Sequence, residues 1–561
     1  MILNDELLKN YENSKLVHYD ELEKTGLPVT DYAELGEHEI DGVLKANMHI
    51  GGELKQVYTE RGNHVGVISA TRLGKTTSYV IPTVLSFAKQ KRKKSMIISD
   101  PKGEIYRHTA ETLRAAGYNV KLLNFRDYMH SECWNILTPI YRKYHSVKSV
   151  KDEVEVVCID GVWYNKFRDA VYHDQQELDN AVEYAESVVM NDVANDIDTL
   201  TAMFVETFNT RDPYWEDSAR DLLKAFLWAM LEDSEEGKDN RITEDTFSFA
   251  SIFRVVSSFR DTDDSTYEDY GYFSNRSEDS QAYRLAKNIL IENAKTTRKC
   301  IMSTFLTKLS VFRQSTIQLI SSCNSFQMSE LTDGPTAFFI DYRDELKSHY
   351  KLISIFVQDA YRYMIEQANN CPDGKLETPF YFILDEFGNF PQIPDFETTI
   401  SACAGRNIFF ILVIQSYAQL ANVYGQDVAI IIRDNLNVHV FFGSNNPSTL
   451  EEFSRECGEK TQLSLLSALN GSSAELERFE MERVALVPKS RLSKLDEGEC
   501  MITEANSGYV MLSKLERYYR CPEYKDLPQC SERDYKGTVD PCDKRYRYTF
   551  KATKKRRSSY F

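Results

Sequence analysis

The stretch His64-Val-Gly-Val-Ile-Ser-Ala-Thr-Arg-Leu-Gly-Lys-Thr-Thr77 constrains this chain more than any other. Its apolar start, His64 to Ile68, reads as a buried β-strand. A turn through Ser69–Gly74 follows, and a helical pattern begins at Lys75. A strand entering a helix through such a turn is laid out to bind phosphate. Loop N–H groups and the positive end of the helix converge on one anion. Lys75 adds a mobile charge for the β- and γ-phosphates, and Thr76 adds a hydroxyl oxygen for Mg²⁺. The candidate nucleotide-binding residues are therefore Ala70, Thr71, Arg72, Leu73, Gly74, Lys75, Thr76 and Thr77. One position departs from G-x-x-x-x-G-K-[ST]: Ser69 stands where the first Gly is usual, and Gly reaches conformations that Ser adopts less easily.

The segments after the loop alternate between strand and helix. Thr77–Ala88 is helical in pattern, with Pro82 inside its early turns. Ser95–Ser99 is a strand ending in Asp100-Pro-Lys-Gly-Glu104. Ile105–Ala116 is a helix, and Asn119–Asn124 a third strand. Such alternation specifies an α/β fold with a mostly parallel sheet. In that architecture ligands bind at the carboxyl ends of strands, where Ser69 and Asp100 fall.

From about Tyr141 to Gln327 strand signals thin out. Ala181–Met190, Ala219–Leu231 and Ser280–Leu306 read as amphipathic helices. Acidic clusters at Asn191–Asp198, Glu232–Glu236 and Asp261–Asp269 separate them. The sheet resumes at Thr336–Asp341. A helix runs over Leu346–Asn369, and the apolar strand Phe380–Leu384 ends in Asp385-Glu386. An acid at the end of a buried strand beside a phosphate loop is placed to hold Mg²⁺. A second acid next to it is placed to activate water. Gln415 ends the next strand, Asn407–Ile414, and suits a γ-phosphate sensor. Arg406 opens that strand at its far end, where it suits a site on an adjacent subunit. Strand His439–Phe442 and helix Pro447–Cys457 follow. Beyond Thr461 the pattern loosens, and the end, Lys544–Arg557, is basic with interleaved aromatics.

These segments set four regions. Residues 1–140 hold a lead-in and the first half of the nucleotide domain, and 141–327 a helical insertion. Residues 328–520 hold the second half, and 521–561 a basic tail. A formal charge of −18 argues against a protein that coats nucleic acid with its whole surface. The eleven cysteines show no metal-binding spacing and read as reduced thiols in a cytosolic protein. No run reaches the roughly 18 apolar residues a membrane span needs.

With both nucleotide motifs placed, the chain resembles the coupling-protein ATPases of type IV secretion and conjugation, the TraG/TraD class. The residues that carry this are Ala70–Thr77, Asp100–Glu104, Asn124-Phe125, Trp134-Asn135, Asp212-Pro-Tyr-Trp215, Leu384-Asp-Glu-Phe-Gly388, Gly405-Arg406, Ile414-Gln-Ser416 and Tyr424-Gly425, in order over roughly residues 45 to 510. The resemblance implies a RecA-like P-loop NTPase domain with an inserted all-α domain for substrate recognition. It implies a homo-hexamer, Mg²⁺-dependent ATP hydrolysis, and delivery of relaxase–DNA or protein effectors to a secretion channel and its ATPases. The family's amino-terminal membrane helices find no counterpart here. That implies a separate membrane-anchor subunit or a trimmed chain, and a cytoplasmic protein held peripherally at the inner membrane face. Roles follow residue by residue: Lys75 and the loop amides on phosphates, Thr76 and Asp385 on Mg²⁺, Glu386 on water, Gln415 on the γ-phosphate and Arg406 in trans. Two rivals stay open, an FtsK-like DNA translocase and a substrate receptor that binds nucleotide without hydrolysing it.

Overall fold

The computed structural model describes residues 15–18, 29–152, 156–159, 162–165, 170–205, 212–238, 241–259, 271–343, 345–466, 478–505 and 507–548. The acidic run Asp261–Asp269 and the basic stretch from Lys551 to Arg557 lie outside them. The chain forms two compact units, Met1–Arg126 with Gln327–Tyr535, and Asp127–Phe326 with Lys536–Phe561.

The strands in chain order are β1 (Lys15–His18), β2 (Val29–Asp31), β3 (Leu44–Ile50), β4 (Glu53–Tyr58), β5 (Val65–Ser69), β6 (Ser95–Asp100) and β7 (Asn119–Asn124). Next come β8 (Val156–Ile159), β9 (Val162–Asn165), β10 (Ala170–Tyr172), β11 (Thr336–Asp341), β12 (Phe380–Leu384), β13 (Ile408–Ile414) and β14 (Val438–Gly443). The last are β15 (Glu459–Leu466), β16 (Arg478–Ala485), β17 (Glu499–Glu504) and β18 (Tyr509–Lys514).

The first unit is built on a ten-stranded sheet in the order β1-β18-β17-β14-β5-β13-β12-β6-β11-β7. Pairing is parallel from β14 through β7, while β17 pairs antiparallel with both β14 and β18. Every residue of β12 and β13 is buried. That is why these strands read as unbroken apolar runs: a parallel sheet is covered on both faces. The helix Ile81–Lys89 covers one face, with all but its last residue buried.

Sequence patterns missed the far edge of this sheet. The loose stretch beyond Thr461 contains the antiparallel hairpin β15–β16 and then β17 and β18, which extend the sheet. Both β17 and β18 are buried in the middle but hold only three successive buried apolar residues each, Cys500–Ile502 and Val510–Leu512, so their signal is weaker than that of the longer inner strands. The segment up to Tyr535, set apart above as tail, belongs to this unit. Cys530 N–H donates to the Arg107 carbonyl at 3.1 Å, and Tyr535 packs edge-on against Tyr106. The lead-in also has structure: β2, β4 and β3 form a small antiparallel sheet.

The second unit is mostly helical. The helix Gln175–Phe204 spans thirty residues. It starts at Asp174, whose side chain accepts the Glu177 N–H at 2.8 Å, an N-cap. The acidic stretch Asn191–Asp198 lies inside this helix and does not interrupt it, because alternate turns still bury Val193 and Ile197. The single helix expected over Ser280–Leu306 is divided into Gln281–Ala286, a wide turn at Lys287–Ile291, and Lys295–Lys308. Asn293 accounts for the break, since its side-chain oxygen accepts the next N–H, that of Ala294, at 2.9 Å. Strands β8–β10 add a small antiparallel sheet.

Aromatics close this core. Phe226, on the helix Tyr214–Glu232, meets Phe273 and Phe305 with ring centroids 5.0 and 5.5 Å apart, and Phe249 stacks on Phe312 at 4.1 Å. The acidic cluster at the end of that helix is partly an internal anchor. Arg276 pairs with Glu232 at 3.1 Å and with Asp233 at 2.7 Å.

Candidate nucleotide site

Strand β5 delivers the chain to the loop as expected, and β14 braces it: Ala70 N–H donates to the Gly443 carbonyl at 2.9 Å. Ser69 is fully buried in extended strand conformation. The loop's left-handed residues are Arg72, with φ 70°, and Gly74, with φ 95°. The conformation that demands glycine is thus at Gly74, and Ser69 fits without strain. Thr71, Arg72 and Leu73 are exposed, so the loop's turn faces outward. Helix entry is wide. The Ile81 N–H reaches back five residues to the Thr76 carbonyl. Pro82 has no N–H to give the preceding turn, which favours this widening.

Two segments separated by about 310 positions meet here. The Lys75 ammonium lies 2.5 Å from Glu386 Oε1 and 3.5 Å from Asp385 Oδ1. Thr76 Oγ1 donates to Asp385 Oδ2 at 3.0 Å. Glu386, the second residue after β12, is in a left-handed conformation, φ 56°, and its own N–H donates to Asp385 Oδ1 at 2.9 Å. The two adjacent carboxylates share Lys75, while Asp385 alone takes Thr76 and Glu386 alone takes Gln415. Gln415, at the end of β13, donates from Nε2 to Glu386 Oε2 at 3.1 Å, and Asn389 reaches the same oxygen at 3.5 Å. The Asp385 backbone is fixed as well, its carbonyl accepting from Ser99 Oγ at 3.1 Å.

Strands β6 and β11 end in buried aspartates, Asp100 and Asp341, and the buried Asp385 directly follows β12. Burial raises the Asp385 carboxyl above its usual range; Lys75 opposes the rise and Glu386 adds to it. Burial likewise pushes Asp100 well up, despite the Tyr106 N–H that it accepts at 2.8 Å. It pushes Asp341 to about 7, against the Arg126 guanidinium 2.9 Å away. Sequence reading did not single out Asp341 or Arg126. The signal was available, because Asp341 closes an apolar strand just as Asp100 and Asp385 do.

The oxygen donors fit a hard cation. A threonine hydroxyl and a buried aspartate 3.0 Å apart, beside a loop of N–H groups, are the donor set that Mg²⁺ with phosphates takes. Arg406 is not brought to this cluster. It sits in the turn Ala404–Arg406 before β13, at the opposite end of that strand from Gln415, and its Nη1 donates to the Ala402 carbonyl at 3.1 Å. A seven-residue strand spans about 23 Å, beyond the reach of one side chain.

Comparison with known proteins gives a consistent picture. The profile of the family described as type IV secretory system conjugative DNA transfer matches residues 19–536. The conjugal transfer protein TraG of Escherichia coli is 22% identical over 418 residues, covering 71% of this chain and 55% of TraG. The coupling protein TraD of Escherichia coli K12 is 27% identical over 128 residues, 22% of this chain and 18% of TraD. The chain spans about half, or less, of the length of these curated relatives. Among solved structures, the unbound bacterial conjugative coupling protein TrwBΔN70 superposes with a TM-score of 0.55 at 15% identity, covering 87% of this chain and 93% of that one. TrwB in complex with ADP and Mg²⁺ gives 0.53 at 15% identity, over 88% and 94%. These likenesses establish the RecA-like nucleotide-binding fold with its helical domain.

Proposed function

The chain belongs to the type IV secretory conjugative DNA-transfer family, and from that premise we propose that it is a coupling ATPase. It recruits relaxase–DNA or protein substrates and uses ATP binding and hydrolysis to deliver them to a secretion channel. One observation carries the reading: Lys75, Thr76, Asp385, Glu386 and Gln415 converge on a single phosphate loop.

Lys75 and the loop N–H groups bind the phosphates. Thr76 and Asp385 would hold Mg²⁺, which when bound would offset the negative charge of the phosphates. Glu386 accepts a proton from the attacking water, and its two oxygens are held for that task by Lys75 and by Gln415. Gln415 also orients the γ-phosphate. Phosphoryl transfer needs little covalent chemistry from the protein, so positioning and charge compensation supply most of the rate. Arg406 acts on a neighbouring protomer's nucleotide in a homo-hexamer. The second unit receives the cargo. Among the described residues no helix is long and apolar enough to cross a membrane. In this reading an anchor subunit or another partner holds the protein at the inner membrane face.

The experiment is phosphate release by the purified chain with Mg·ATP, with and without single-stranded DNA, for wild type and Glu386→Gln, together with identification of what co-purifies from the native host. Turnover that vanishes in the variant, with a relaxase or effector recovered, supports the reading. Nucleotide binding without turnover under every condition would favour a receptor. Translocation along chromosomal DNA with no secretion partner would favour an FtsK-like motor.

A further inference from the structure

Outside the nucleotide site, one side-chain cluster gathers nitrogen, sulfur and oxygen donors at a point. His49 lies near the end of β3, and Glu516, Cys521 and Glu523 lie on the segment after β18. The His49 ring stands between two carboxylates. Its Nδ1 is 3.3 Å from Glu516 Oε2, and its Nε2 lies 3.2 and 3.0 Å from the two oxygens of Glu523. Cys521 is fully buried, with Sγ 4.0 Å from that same Glu516 oxygen and 3.7 Å from the Arg517 carbonyl. One donor atom each from His49, Glu516 and Cys521 lie within 4.8 Å of one another. Among the described residues, Glu516 pairs with no lysine or arginine.

The two segments are docked on each other beside the cluster. Cys521 precedes the short helix Pro522–Lys525, whose Tyr524 hydroxyl donates to Asn47 Oδ1 on β3 at 3.2 Å. The hydrogen bonding around the ring is the informative part. A carboxylate only accepts, so Glu523 keeps the proton of a neutral ring on Nε2 and leaves the Nδ1 lone pair facing Glu516. Two acceptors that face each other need a positive charge between them, either a second ring proton or a metal ion. A buried sulfur beside the same oxygen favours the metal. A carboxylate on the outer nitrogen is also how metal-ligating histidines are held in one tautomer.

We propose that His49 Nδ1, a Glu516 carboxylate oxygen and Cys521 Sγ bind one Zn²⁺, with Glu523 orienting the imidazole. A mixed nitrogen, sulfur and oxygen set suits this borderline-soft ion and does not suit Mg²⁺. Tetrahedral Zn²⁺ holds nitrogen and oxygen ligands about 3.3 Å apart, and sulfur and oxygen ligands about 3.6 Å apart. The His49–Glu516 separation already has this value, and the Glu516–Cys521 separation exceeds it by about half an ångström. The Glu516 side chain is 37% exposed, so the fourth position opens to solvent and takes water. Binding sends the thiol proton to solvent and leaves a thiolate on the metal. The ion staples β3 to the segment after β18.

The site is independent of the nucleotide reading and is tested with metal alone. The full chain is stripped with chelator and returned to buffer with excess Mg²⁺, which fills hard-oxygen sites. It is then titrated with Zn²⁺ by calorimetry and with Co²⁺ by absorption spectroscopy. Wild type is expected to take one Zn²⁺ and to show a cobalt–thiolate charge-transfer band. Cys521→Ser and Glu516→Gln are each expected to weaken Zn²⁺ at least about 100-fold, and Cys521→Ser to abolish the band. Glu523→Gln is expected to weaken Zn²⁺ about tenfold and keep the band. Cys300→Ser, at an exposed cysteine, is expected to change neither. No uptake by wild type would make His49 an imidazolium between two carboxylates and overturn the site. Binding unchanged in Cys521→Ser and Glu516→Gln, or lost in Cys300→Ser, would overturn it too. Melting temperatures equal to wild type without metal show that the weakened variants are folded, and the partly exposed Glu516 provides one if Cys521→Ser is not.

Discussion

The parallel-sheet unit and the helical unit are both buried-core structures of comparable complexity, yet they declare themselves very differently. In the sheet unit, chemistry is concentrated where strands end. Phosphate binding needs backbone N–H groups in a glycine turn, a lysine, a hydroxyl and an acid, and few residue types meet those needs. Its function therefore leaves a mark in the sequence. The helical unit, proposed above to receive cargo, leaves no such mark, because a recognition surface has no obligatory residue type. Its side chains mostly report packing: Phe226, Phe249, Phe305 and Phe312 form a core, and the acidic end of one helix anchors Arg276. A motif search finds the first kind of site and passes over the second.

Variants sharpen this contrast. The largest effect is expected from Glu386→Gln, which removes the proton acceptor while keeping the Lys75 and Gln415 side of the site in shape. ATP turnover should fall by about 10²–10⁴-fold, with nucleotide affinity nearly kept, in a phosphate-release assay paired with calorimetry. Retained turnover would break the assignment of the sheet unit as the chemical one. Next in size is Phe226→Ala. Emptying that fully buried site should cost about 3–5 kcal/mol of stability in denaturant unfolding, and leave nucleotide affinity within about twofold below the transition. A matching loss of nucleotide binding would show that the two units do not divide their work as described.

A smaller effect is expected from Asp341→Asn. A buried acid whose pKa is raised to about 7 binds its proton more tightly folded than unfolded. Its contribution therefore makes stability fall as pH rises from about 4 to about 7. The asparagine should flatten that fall, read from unfolding curves across the range, and a slope identical to wild type would count against the buried charge. The smallest is Ser69→Gly. Because Ser69 is extended strand and the left-handed residues are Arg72 and Gly74, restoring the usual glycine should change ATP affinity by less than about twofold. A large gain would show that Ser69 limits the loop.

The legible parts share a physical cause. Strands β5, β6, β11, β12 and β13 were readable because burial on both faces leaves unbroken apolar runs between polar ends, and the edge strand β7 because it follows the helix that Gly117 ends. The candidate site was readable through Gly74-Lys75-Thr76 and Asp385-Glu386 for the chemical reason given above. Two features were not readable. Strands β17 and β18 bury only short apolar runs between polar ends. The break at Asn293 depends on one side chain capturing a local N–H.

By itself the sequence determined the fold class, the phosphate loop and the acidic pair, because backbone geometry and metal-ion chemistry permit few residues at those points. Tertiary structure decided which distant groups share the site. It set Lys75 against Glu386 and Thr76 against Asp385, and brought Cys530 back to Arg107. Those relations depend on strand order and on the path of the chain between strands, and neither is encoded in any short run of residues.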